Sequence, residues 1–191
     1  MNVDKPLFEG KRICLAHIDR EEDAEIESRW THDAAYLRML GPEPARPLFP
    51  AQLKKKYEAI EKAMDKDKDQ YYFTVRMREN GRLVGFARLF RISWTHGYTL
   101  IQLGIGEVQD RGKGYGRETL SLLLQYAFEE LNLYRVGATI PEYNQQALQM
   151  FQSFGFLEEV RRRQAIARDA RRWDLIHLGL LKEEWQSKLD N

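Results

Sequence analysis

Between Tyr71 and Arg78 the side chains alternate: Tyr71, Phe73, Val75 and Met77 interleave with Tyr72, Thr74, Arg76 and Arg78. A period of two belongs to a strand with two distinct faces. Asn80-Gly81 follows, a dipeptide suited to a tight hairpin, and Leu83 to Phe90 returns as the next strand. Thr99 to Gly106 reads as a further strand, and Tyr134 to Ile140 as another. Other stretches carry helical spacing. Leu120, Leu124, Ala127 and Leu131 recur at steps of four, three and four, and Leu53, Tyr57, Ile60 and Met64 form a similar stripe.

The remaining segments complete the order. Ile13 to Ile18 predicts a first strand, and Asp19 a cap for a helix over about 20 to 31, with Glu21, Glu22 and Asp23 in its favoured acidic first turn. Pro42, Pro44, Pro47 and Pro50 mark an irregular stretch. The charge run Asp65 to Asp69 reads as solvated loop. Ala147, Met150, Phe151 and Phe154 stripe a late helix, and Phe156 to Ala167 with Arg172 to Leu181 predicts a closing antiparallel pair. No internal repeat, linker or low-complexity segment interrupts the chain, so residues 1–191 read as a single domain of mixed α/β (α+β) class.

Composition narrows the function classes. The net charge is +1, which gives no global attraction to nucleic acid. The arginines of the closing pair (Arg161, Arg162, Arg163, Arg168, Arg171, Arg172) have almost no aromatic neighbours for base stacking and read as a solvated hairpin. No apolar run approaches the roughly 18 residues of a membrane span, and the first eleven residues lack the apolar core of a signal peptide, so a cytoplasmic protein is expected. The single cysteine, Cys14, excludes an internal disulfide and reads as a small core filler. His17, His32, His96 and His177 show no metal spacing, and no metal is expected. Oligomeric state is left open, a homodimer among the states considered.

The chemistry concentrates at Gln109-Asp110-Arg111-Gly112-Lys113-Gly114-Tyr115-Gly116-Arg117-Glu118. Three alternating glycines lie between a strand and the mouth of a helix. Glycines let backbone approach a ligand closely, first-turn N–H groups lack partners, and the helix dipole favours negative charge. Arg111, Lys113 and Arg117 add positive charge, so a phosphate or pyrophosphate is the expected ligand. No Gly-Lys-Ser/Thr closes a P-loop, and the spacing fits a dinucleotide fingerprint poorly.

Arg111-x-x-Gly114-x-Gly116 resembles the acyl-CoA pyrophosphate loop of the GNAT superfamily of N-acetyltransferases. Asn132-Leu133-Tyr134-Arg135-Val136 is similar to the start of that family's fifth strand, and Asn144-x-x-Ala147-x-x-x-Phe151-x-x-x-Gly155-Phe156 to its second CoA-binding segment. Gly10-x-Arg12-x-x-Leu15, Trp173-Asp174 and Leu180-Leu181-x-x-Glu184-Trp185 resemble the ribosomal-protein N-terminal acetyltransferase-like branch. The resemblance runs from about residue 8 to 186.

It implies a mixed, mostly antiparallel seven-stranded sheet flanked by about four helices, with splayed fourth and fifth strands and the pantetheine arm in the gap. Carried over, Gly104, Ile105 and Gly106 would pair with the pantetheine amides, and their glycines would leave the ligand side uncrowded. Arg111, Gly112, Lys113, Gly114, Tyr115, Gly116 and Arg117 would hold the pyrophosphate. Asn144 reads equally as a helix N-cap and as a contact to the CoA arm, and Phe151 as an apolar wall near the thioester.

The implied activity is acetyl transfer from acetyl-CoA to a primary amine: a peptide α-amine or a small-molecule amine. The amine must be neutral to attack. That costs about 4 to 5 kcal/mol for a lysine near pH 7 and only about 1 kcal/mol for an α-amine. An α-amine or a low-pKa amine is therefore favoured over a polyamine. Glu21, Glu22, Glu25 and Glu27 could draw a cationic acceptor but read rather as a solvated helix face. The sequence departs from the family twice. Leu100-Ile101-Gln102 stands where many relatives carry a glutamate, and Phe151 where many carry a tyrosine. Glu107, Tyr143, Ser153, His96 and Asp174 are the candidate substitutes. The gaps also keep open an acyl-CoA-binding module that has lost catalysis and serves as a sensor or partner protein.

Overall fold

The computed structural model describes residues 7–189. Seven strands form one sheet in the order β1-β2-β3-β4-β5-β7-β6. They are β1 (Ile13–Ala16), β2 (Tyr71–Met77), β3 (Leu83–Ser93), β4 (Tyr98–Ile105), β5 (Arg135–Pro141), β6 (Leu157–Arg168) and β7 (Arg171–Leu181). Every neighbouring pair is antiparallel except β4 with β5. Asn80-Gly81 makes the turn between β2 and β3, with Gly81 at φ 69°.

Among the described residues six α-helices accompany the strands: α1 (Glu22–Thr31), α2 (Ala34–Leu40), α3 (Pro50–Lys66), α4 (Tyr115–Gln125), α5 (Gln145–Ser153) and α6 (Lys182–Leu189). The expectation of about four is exceeded by the short α2 and by α6, which follows β7 without a break. No helix among the described residues is long and apolar enough to cross a membrane.

Each sheet face buries its own cluster. On one, Ile101, Val136, Ala138 and Ile176 meet Leu120, Leu123, Leu124 and Phe128 of α4 and its continuation, Phe151 of α5 and Trp185 of α6. On the other, Tyr72 and Phe86 meet Ala24 and Trp30 of α1, Tyr36 of α2, and Leu53 and Tyr57 of α3. The alternation in β2 thus separates two apolar faces rather than an inside from an outside.

Several boundaries move. β1 ends at Ala16 and α1 starts at Glu22, although Asp19 does take the helix-start amides: its Oδ1 accepts from Glu21 N at 3.0 Å and Glu22 N at 3.1 Å. α3 continues through Lys66, into the segment expected to be loop. Cys14 is half-buried beside β2, not a core filler. Glu27 is no solvated residue. It is buried and accepts from Tyr57 Oη at 2.6 Å, Tyr72 Oη at 3.3 Å and Lys56 Nζ at 2.7 Å. The arginine-rich β6 is exposed along its length apart from Ile166 and its last residue.

Candidate active site

β4 and β5 pair only through Tyr98–Arg135, Thr99–Val136 and Leu100–Gly137. β4 continues to Ile105 on β3 alone, and β5 continues to Pro141 on β7 alone. The two strands therefore part beyond Leu100 and leave a wedge at their C-terminal ends.

Beside this wedge the chain leaves β4, makes one 3₁₀ turn (Val108–Asp110) and enters the glycine loop. Gly112 (φ 75°) and Gly114 (φ 87°) occupy the left-handed region, which explains glycine at both positions. Gly114 caps α4, whose first intrahelical bond runs from Glu118 N to Gly114 O at 3.1 Å. The amides of Tyr115, Gly116 and Arg117 precede that bond and have no acceptor within the helix, so the positive end of the dipole lies at the glycine loop. Gly116 is different. A Cβ there would meet Met150 Sδ at 3.6 Å, Leu103 Cδ1 at 3.7 Å and Ile105 Cγ1 at 3.9 Å, ordinary contacts. The fold itself does not demand glycine at this position.

Ion pairs hold the loop, with Lys113 Nζ 3.9 Å from Asp110 Oδ1 within it. Arg82 grips the buried Asp110 with both Nη atoms (2.7 and 2.9 Å), and these bonds hold the Asp110 carboxyl below the usual carboxylate range. Arg12 binds Glu118 through its backbone N (2.8 Å) and Nε (3.1 Å), donates from Nη1 to the Lys113 carbonyl (2.6 Å) and lies 5.5 Å from the centre of the Tyr115 ring. Burial pushes the Glu118 carboxyl up, but the bonds from Arg12 and Ile13 outweigh it and the net direction is down.

Arg111 does not reach over the loop. It folds back, donating to Asp33 Oδ2 (2.9 Å), to Gly106 O and to Ile105 O (3.2 Å), with its guanidinium 5.2 Å from the Tyr36 ring centre. Lys113 and Arg117 remain as the exposed cations at the helix mouth. Gly104 and Gly106 also differ from expectation. A Cβ on Gly104 would stand 2.7 Å from Leu40 and 2.8 Å from Tyr36 Oη, and one on Gly106 would overlap the Trp30 ring. Their missing side chains make room for the protein's own α1 and α2.

The end of α2 spans the wedge. Its carbonyls accept from both sides: Leu40 O from Gln102 Nε2 (2.8 Å) on β4, Arg38 O from Tyr143 Oη (2.8 Å) and Met39 O from Asn144 Nδ2 (2.9 Å) beyond β5. Asn144 also caps α5, its Oδ1 accepting from Ala147 N at 3.1 Å. The cap reading of Asn144 is the geometry found. α2 was absent from the sequence-based expectation, although Asp33 before it and Gly41 after it were readable cap signals; Asp33 Oδ1 accepts from Tyr36 N at 3.1 Å.

A family model described as an acetyltransferase (GNAT) domain matches residues 12–157. The chain belongs to the GNAT acetyltransferase family. It is similar to the SPbeta prophage-derived uncharacterized N-acetyltransferase YokL of Bacillus subtilis, 25% identical over 72% of this chain and 76% of that protein. It is also similar to the alpha/beta-tubulin-N-acetyltransferase 9 of Homo sapiens, 25% identical over 93% and 92%. Two further relatives are matched over 65% and 64% of their length. Among solved structures, the spermidine N-acetyltransferase from Vibrio cholerae in complex with CoA and spermine superposes with a TM-score of 0.78 at 20% identity, covering 93% of this chain and 99% of that one. At that identity the likeness speaks for the fold alone.

Within this GNAT fold the acid and base candidates separate. Glu107 Oε1 accepts from Trp30 Nε1 at 3.0 Å, beside the end of β4. Tyr143 donates to α2, as described. Ser153 Oγ donates to Met150 O at the far end of α5, and His96 is exposed in the turn between β3 and β4. Asp174 is occupied by Arg161 Nη1 (3.1 Å) and Gln164 N (2.8 Å). Phe151 is buried edge-on against Phe156, centroids 5.0 Å apart, while its neighbour Met150 turns toward Gly116.

One residue was missed by sequence reasoning. Tyr36 Oη is buried, has no hydrogen-bond partner and lies against β4 at Gly104. Burial raises its ionisation well above the ordinary tyrosine value, as does nearby Glu27, so the phenol keeps its proton. On the same sheet face, a cavity of about 260 Å³ opens over Gly137, lined in part by Tyr98, Leu100, Arg135, Glu159 and His177. Arg135 and Glu159 neutralise one another there. His177 Nδ1 lies 3.2 Å from Thr139 Oγ1, its Nε2 is enclosed without a partner, and burial, then Arg162, lowers its pKa.

Proposed function

We propose that this GNAT protein transfers the acetyl group of acetyl-CoA to a primary amine, with the diphosphate of the co-substrate on the amides of Gly112 to Arg117 and its pantetheine arm between β4 and β5. The observation that carries the reading is one juxtaposition. A left-handed glycine loop opens α4 immediately beside the point where β4 leaves β5. The donor set fits the group: partnerless backbone amides, a helix dipole, Lys113 and Arg117, and a Gly116 whose missing Cβ the fold does not need.

The chain's own groups then have defined tasks. The reaction breaks the thioester C–S bond and forms a C–N bond; the amine gives up a proton and the departing thiolate takes one. Tyr36 is the hydrogen-bond donor we assign to the departing sulfur, because its hydroxyl is unspent and lies beside β4 at Gly104; burial keeps the proton on the phenol, and the thiolate takes its proton from water. Ile101-Gln102 stands where the resemblance places a glutamate, and neither side chain can accept the amine's proton. An acceptor that is already partly neutral follows, so an α-amine or another low-pKa amine is preferred to a polyamine. The relatives' names span tubulin and spermidine and do not choose among acceptors.

The test is release of free CoA from acetyl-CoA with peptides, amino acids, aminoglycosides and polyamines, with product mass recorded. Turnover with an amine and a product heavier by one acetyl group supports the reading. Acetyl-CoA binding without turnover on any amine supports instead the non-catalytic acyl-CoA module.

A further inference from the structure

Six arginines are half-buried: Arg38, Arg76, Arg88, Arg111, Arg135 and Arg168. Four have a carboxylate, in the pairs Arg38–Asp169, Arg76–Asp23, Arg111–Asp33 and Arg135–Glu159. Arg168 holds two backbone carbonyls, of Pro42 and Glu43. Arg88 alone of the six has neither. Its Nε donates to Gln102 Oε1 at 2.8 Å and its guanidinium lies 4.4 Å from the Phe90 ring centre. Its two Nη groups make no hydrogen bond or ion pair among the described residues.

A guanidinium cannot escape burial by losing its proton. Desolvation works against the Arg88 charge. Tyr72 and Glu27 favour it, but Glu27 is already taken by Tyr57, Tyr72 and Lys56, and Arg91 opposes. The two Nη groups are not among the fully buried polar atoms that lack a partner, so they reach solvent, and a half-buried cation with open donors and no protein carboxylate of its own is suited to an anionic ligand.

Its place indicates which ligand. Arg88 pairs across the strands with Gln102, two residues before Gly104 and the buried Tyr36 hydroxyl. Phe90, on the same face of β3, pairs with Leu100, where the cavity over Gly137 begins. Arg88 thus stands between the reacting end of the wedge and that cavity, on the face away from α4.

Resting on the acetyltransfer reading above, we propose that Arg88 binds a carboxylate of the acceptor. The acceptor class is then an amine that also carries an acidic group close to its nitrogen: a peptide with acidic residues after its N-terminus, or an amino acid. A polyamine would bring further positive charge against a guanidinium that has no carboxylate partner of its own.

The experiment is steady-state kinetics at saturating acetyl-CoA. The peptide arm compares an amidated peptide with two acidic residues after its N-terminal serine, its counterpart with the two side-chain amides, its counterpart with two lysines, and spermidine. A second arm compares free glutamic acid with its diamide. The expected result is a kcat/KM about ten- to a hundredfold higher for the acidic member of an arm, carried mainly by KM. Arg88→Gln should erase the difference and Arg88→Lys restore part of it, with acetyl-CoA affinity by calorimetry unchanged in both. Should Arg88→Gln fail to fold, the comparison on the unaltered protein decides. Equal use of acidic and amide forms in both arms, or preference for spermidine, overturns the assignment. Absence of turnover on every amine overturns the acetyltransfer reading itself, and the Arg88 assignment with it.

Discussion

Gly114 and Arg12 lock together at the start of α4. A Cβ added to Gly114 would stand 2.7 Å from Arg12 Nη2, and the same guanidinium donates from Nη1 to the carbonyl of Lys113. β1 is thereby tied to the glycine loop, 101 residues away in sequence. Arg12→Ala removes this tie and the Nε bond to Glu118, while the backbone bond from residue 12 to Glu118 stays. We expect acetyl-CoA affinity to fall about tenfold by calorimetry, one to two hydrogen bonds' worth, with the fold kept. Unchanged affinity would mean that the loop holds its shape without Arg12.

Asp110 supports the same loop from beneath. Its folded pKa is depressed by the bonds from Arg82, so its contribution is fully present above the unfolded value of about 3.9 and is lost as pH falls through the folded value. Asp110→Asn should cost about 2 kcal/mol at neutral pH, less than a fully buried pair because Arg82 stays open to water. It should also flatten the loss of stability below about pH 4, seen in urea denaturation. An acid slope equal to that of the unaltered protein would contradict this role.

Tyr36→Phe separates chemistry from stability. The hydroxyl has no partner, so its loss should leave the midpoint of unfolding unchanged or slightly raised. A fall in kcat of about a hundredfold is expected if the phenol's hydrogen bond steadies the departing thiolate. Unchanged kcat would remove Tyr36 from the mechanism.

Phe151→Tyr asks whether the tyrosine of the family motif would restore an acid. The ring packs edge-on against Phe156 within the core, and an added hydroxyl there must find a partner. We expect a loss of about 1 to 2 kcal/mol in stability and kcat within tenfold of the unaltered protein. A large gain in kcat would show that the position reaches the thioester after all.

The sheet was legible because its signals are local: alternation in β2, Asn80-Gly81 at a turn, and a four-three stripe in α4. The short α2 lacks a stripe long enough to read, and only Asp33 and Gly41 announce it. The glycine loop was legible for a similar reason, since left-handed positions at Gly112 and Gly114 require that residue type. What surrounds them was not. Gly104 and Gly106 looked like room for a ligand, whereas Tyr36, Leu40 and Trp30 fill the space. Arg111 looked like a phosphate contact, whereas Asp33 and two β4-end carbonyls, 78, 6 and 5 residues away, hold it. Arg88 and Gln102 meet only through strand register, so their pairing has no signature along the chain.

The most direct measurement is a calorimetric titration of acetyl-CoA into the unaltered protein and into Gly114→Asp, whose folded state is checked by circular dichroism and thermal unfolding. The substitution places a carboxylate at the mouth of α4, where the helix dipole and the partnerless amides of Tyr115 to Arg117 are expected to meet the diphosphate. Saturable binding to the unaltered protein, and affinity reduced by about a hundredfold or more in a folded Gly114→Asp, is the expected result. Equal affinity in the two folded proteins would contradict the assignment of the glycine loop as the acetyl-CoA site.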